Sequence, residues 1–163
     1  MSLFKNVINL WKADDLLSQS WDESYKMMNL SHEIFQQALI YLRNGENIDK
    51  LKTLKMRDKE INEFQRDVRR KVLTHYAVEQ DTSNMADGLI LINMVVDIER
   101  IGDYCKNILD LAINHDQSIK SSEISEDLAM IEEEAKSRFE KTIQAIQAQD
   151  VEIAQSLMEG YKE

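Results

Sequence analysis

Glu99 and Asp103 stand four residues apart in DIERIGDYCKNI, the stretch from Asp97 to Ile108. On a helix that spacing puts both carboxylates on one face, roughly 5–6 Å apart. Asp58 and Asn62 repeat the spacing in MRDKEINEF. If the two segments are antiparallel neighbours, four oxygen-bearing side chains converge on one patch. Hard oxygen donors of this kind suit iron, manganese, magnesium or calcium, and also zinc. The alternative is a set of ion pairs. An unpaired buried carboxylate is costly, and Arg57, Arg66, Arg69, Arg70 and Arg100 are close enough in sequence to neutralise these groups. Spacing alone leaves both readings open.

Other chemistry is sparse. His32, His75 and His115 lack a glutamate three residues earlier, so the Glu-x-x-His ligand pattern of di-iron bundles is absent. The chain has no HExxH, Gly-rich phosphate loop or GxSxG. Cys105, the single cysteine, has no activating partner in sequence and reads as a packed thiol. Met27, Met28, Met56 and Met94 read as core fillers, and Trp11 and Trp21 as packing anchors. Nothing resembles a catalytic nucleophile, so a non-enzymatic protein is expected.

The elements that must position the oxygen donors are helices. The 163 residues include no proline and only four glycines, too little punctuation for a β fold. Leu3, Phe4, Val7, Ile8, Leu10 and Trp11 predict a short amphipathic helix within residues 1–15. A second helix, capped by Asp14, runs to about Arg43 with Leu17, Trp21, Met28, Phe35, Leu39 and Leu42 on its apolar face. A third carries Leu51, Leu54, Ile61, Val68 and Val72 as a near-heptad seam, with Asp58 and Gln65 in the gaps. A fourth, from near Met85 to about His115, has an expected seam of Met85, Leu89, Ile92, Val96, Glu99 and Asp103. Short loops between such helices give an all-α, up-and-down antiparallel helical bundle.

Charge and length narrow the function. A formal net charge of −10 disfavours a nucleic-acid partner. The longest apolar run, LILINMVV, is too short to span a bilayer, so no membrane insertion is expected. A lone cysteine and the lack of a recognisable signal peptide fit a cytoplasmic protein.

Two of these segments are shared with a known family. DIERIGDYCKNI resembles the signature helix of PhoU proteins, whose pattern is close to E-R-I-G-D-x-x-x-N-I. RDKEIN, from Arg57 to Asn62, is similar to the family's D-x-x-I-N/D on the preceding helix. The likeness spans roughly Ser24 to Ala112. It implies a spectrin-repeat-like three-helix unit and a regulatory, non-enzymatic role in phosphate homeostasis. PhoU proteins act as negative regulators between a phosphate transporter and a sensor histidine kinase. Some members hold multinuclear iron or zinc clusters, and by resemblance the ligands here are Asp58, Asn62, Glu99 and Asp103. Asn62 stands where many members have Asp, which leaves the site one negative charge poorer. A PhoU-like module serving another ion or phosphate transporter is the alternative function.

The rest of the chain reads as the start of a second unit. Phe139 to Glu163 resembles Phe35 to Glu60, both running helix, polar break, helix. The organisation expected is an N-terminal helix at 1–15, a complete unit at 16–116 and an incomplete one at 121–163. The second unit lacks its own copies of both motifs. Its stripe of Ile131, Ala135, Phe139, Ile143 and Ile146 would lack its usual partners, and the cheapest cover is a second copy of the chain. A homodimer through this segment is expected, unless the Trp11 helix folds over the stripe instead.

Overall fold

The computed structural model describes residues 16–44, 48–79, 85–114, 126–148 and 150–159. These form six α-helices: α1 (Leu16–Asn44), α2 (Ile48–Met56), α3 (Asp58–Glu79), α4 (Met85–Asn114), α5 (Glu126–Ala148) and α6 (Val151–Glu159). No strand occurs among the described residues. The expected N-terminal helix with Trp11, and the Asp14 cap, lie outside them.

Pairwise contacts fix the directions. Glu23 and Glu33 of α1 pair with Lys71 of α3 and with Arg57 just before it, so α1 and α3 run antiparallel. Asp58 and Lys106 pair across α3 and α4, as do Lys55 of α2 and Asp110 of α4, so this pair is antiparallel too. The three long helices form the up-and-down unit, and α5 lies antiparallel on α1, with Phe139 stacked on Phe35 and Glu132 paired with Arg43.

The core follows two heptad rows. On α1 the buried positions include Leu17, Ser20, Ser24, Met27, Ser31, Ile34 and Ala38, spaced three and four residues apart. The three serines are satisfied by their own helix: each hydroxyl donates to the carbonyl four residues back, at 2.6, 2.7 and 3.1 Å. On α4 the buried row is Gly88, Leu91, Val95, Ile98, Gly102, Cys105 and Leu109. Gly102 marks a close approach of helices: a β-carbon there would stand 2.9 Å from Ile61 Cδ1 and 3.4 Å from Ser31 Oγ.

This row corrects the expected α4 seam, which lies one residue further along the chain. A one-residue shift turns a helix by about 100°. Met85 and Leu89 are therefore exposed, and Glu99 and Asp103 flank the core instead of interrupting it. The α3 seam is as expected, with Ile61, Val68 and Val72 fully buried. The expected single third helix, however, is broken at Arg57. There the backbone tightens into two three-residue turns, Arg57 N–H to Leu54 O at 3.0 Å and Glu60 N–H to Arg57 O at 2.9 Å. Met56, beside the break, is exposed and fills no gap, whereas Met27 and Met28 are buried as expected.

The C-terminal segment repeats the break. Asp150 accepts from the backbone N–H groups of Glu152 and Ile153 at 2.9 and 3.0 Å, capping α6. The apolar stripe of α5 is not bare. Ile143 is buried, and Phe139 and Ile146 pack against the core of the three-helix unit. Within the stripe, Ile131 and Ala135 remain exposed. The chain's own α1 covers much of the surface from which a dimer was expected.

Candidate functional site

The break at Arg57 makes Asp58 the first residue of α3, where the amide-rich end of the helix favours a carboxylate. Asp58 lies on the α3 seam and faces α4, with its side chain 13 % exposed. Asn62, one turn on, donates from its amide nitrogen to the Asp58 carbonyl at 3.0 Å, and approaches Asp58 Oδ2 at 3.5 Å. From α4, Glu99 projects toward the same groove. Burial, reinforced by repulsion from Asp103 and Asp58, raises the Glu99 carboxyl above its ordinary pKa. All four residues picked out by spacing thus border one groove.

The residue that neutralises them is a lysine absent from that set. Lys106 Nζ donates to Asp58 Oδ2 at 2.9 Å and lies 3.9 Å from Asp103 Oδ1. The hydrogen bond to Asp58 outweighs burial and raises the Lys106 pKa above its usual value. Of the arginines considered from sequence, Arg57 binds Glu33 at 2.7 Å and Glu60 at 3.2 Å, Arg70 binds Asp67, and Arg100 pairs with Asp97. Lys106 was legible in principle, because it sits three residues after Asp103 on the same face.

A divalent metal does not fit this arrangement. Asp58, the best-shielded oxygen donor, is already bonded to an ammonium. Asn62 turns its amide nitrogen toward Asp58. Asp103 is 52 % exposed and half-solvated. Among the described residues no three His, Cys, Asp or Glu side chains stand close enough to share one ion. The groove as built is an ion-paired helix contact.

Cys105, next to Lys106 in sequence and about 100° around the helix from it, faces the core. Burial pushes its thiol up to about 12, so it is inert at neutral pH. Among the described residues no helix is long and apolar enough to cross a membrane.

A family model described as PhoU domain matches residues 25–112, which covers α2 and α3 whole, about two thirds of α1 and nearly all of α4. No curated protein and no solved structure gives a significant match. The match takes in both motif segments, on the two helices that face each other across the groove, and spans more than half of the chain. The chain belongs to the PhoU family.

Proposed function

We propose that this protein is a non-enzymatic regulator of phosphate uptake and phosphate homeostasis. It works in the cytoplasm through protein contacts, as a negative regulator between a phosphate transporter and a sensor histidine kinase. The observation that carries the reading is the family match over the three-helix unit, with both motif segments inside it. Two features support it. The one cysteine is a buried, inert thiol. In the polar groove between α3 and α4, the sheltered Asp58 carboxylate is bonded to Lys106.

The test is genetic. Deleting the gene is expected to leave phosphate-starvation genes active in phosphate-rich medium, with expression restored to its repressed level by a plasmid copy. Repression that persists in the deletion strain overturns the proposal and favours an accessory role with another ion or phosphate transporter.

A further inference from the structure

We propose that Lys106 is the resident cation of the α3–α4 groove, and that its ammonium, in place of a divalent ion, neutralises the carboxylates there. This is a statement about the groove and is independent of the regulatory role.

Three observations carry it. The ammonium sits at the centre of the acidic set, 2.9 Å from one carboxylate of α3 and 3.9 Å from one of α4. The contact is sheltered: the Lys106 and Asp58 side chains are 32 % and 13 % exposed, so the charge-assisted hydrogen bond is only partly screened by water. The lysine is also held in place by its backbone. Its neighbours Cys105 and Leu109 are buried core positions, and Gly102 fixes the spacing of α4 from α3. Lys106 therefore cannot leave the groove by rotation of the helix without breaking the core.

The like-charge argument decides between the two cations. A divalent ion among these carboxylates would lie within a few ångströms of the ammonium, in a site of reduced dielectric where repulsion is strong. Either Lys106 swings out to solvent or the metal stays away. The lysine has the advantage of being covalently tethered, so its local concentration exceeds that of any free ion. Loss of the ammonium would instead leave the sheltered Asp58 carboxylate without its partner, at a cost to stability.

The full-length chain, purified without chelator or affinity metal, tests this by elemental analysis and by titration calorimetry with manganese and zinc. The parent is expected to carry no stoichiometric metal and to melt at the same temperature with or without EDTA. Lys106→Met is expected to melt below the parent and to carry no stoichiometric metal, and Lys106→Met with Asp58→Asn to recover part of the lost stability. Stoichiometric metal in the parent, removed by Glu99→Gln with Asp103→Asn, overturns the proposal. So does a Lys106→Met variant that melts at the parent's temperature. Should Lys106→Met unfold, a denaturation cycle of Asp58→Asn, Lys106→Gln and the double variant decides instead. Non-additive losses uphold the pair, and strictly additive ones overturn it.

Discussion

The α3–α4 groove and the α1–α5 contact both join helices with a salt bridge, yet they rest on different foundations. The Asp58–Lys106 pair lies over a continuous buried row in which Ile61, Ile98 and Gly102 are within packing distance or fully enclosed. The Arg43–Glu132–Lys136 network lies over a thin apolar strip. Phe139 stacks on Phe35 and meets His32 at 4.9 Å, and Ile143 is the single buried apolar residue of α5 and α6 among the described residues. Apolar burial holds the first contact, and the ion pair sets its register. At the second contact polar groups carry a larger share. One consequence is that α5 should detach before the three-helix unit unfolds.

The largest expected effect lies in the unit itself. Ile61→Ala removes a fully buried side chain beside Gly102 and is expected to cost about 2–5 kcal/mol in urea denaturation. Probes in α1, α3 and α4 should shift together. A transition that splits, with α5 lost at unchanged denaturant while α1, α3 and α4 move, would sharpen the distinction.

Phe139→Ala probes the other side of the comparison. Its ring is only partly buried, so the loss should be smaller, about 2 kcal/mol, and local. Amide exchange is expected to accelerate along α5 and α6 while the central turns of α1, α3 and α4 keep their protection. Uniform acceleration across all the helices would show that α5 is an integral part of one cooperative unit.

The smallest effect is a pH dependence confined to the α1–α5 contact. Burial beside Phe139 lowers the His32 pKa below 6.5, with Glu140 partly opposing, and its Nε2 has no hydrogen-bond partner. The undocked segment then takes up the proton first, so stability is lost as pH falls through about 6.5. Burial alone would raise Glu132, but its bonds to Arg43 and Lys136 outweigh that and hold the carboxyl below 4.5. Its contribution is present above that value and is lost on further acidification. Exchange in α5 should therefore quicken below pH 6.5, and His32→Phe should flatten the first part of the profile. An unaltered profile in that variant would remove His32 from the account.

Much of this architecture could be read without coordinates, and the exceptions share a cause. The α3 seam was legible because Ile61, Val68 and Val72 are the obvious apolar residues at heptad spacing, with Asp58 among them. The α4 seam was not. LILINMVV offers apolar side chains to either of two adjacent registers, and the one that faces the core is completed by Gly88, Gly102 and Cys105, which do not look like core. The same shift moved Glu99 and Asp103 from seam to flank. Lys106 occupies an unspecified position of the E-R-I-G-D-x-x-x-N-I pattern, so the motif does not mark it as the partner of Asp58.

By itself, the sequence determined that the chain is helical, where its long helices lie, and that Asp58 with Asn62, and Glu99 with Asp103, share one face of their own helix. Those properties follow from local propensity and spacing along one helix at a time. Only the tertiary structure decided which register of α4 is buried, which cation meets Asp58, and that α5 lies on α1. Each of these depends on a facing helix: Ser31 and Ile61 leave room opposite Gly102 and for nothing larger, and that close approach carries Lys106 to Asp58.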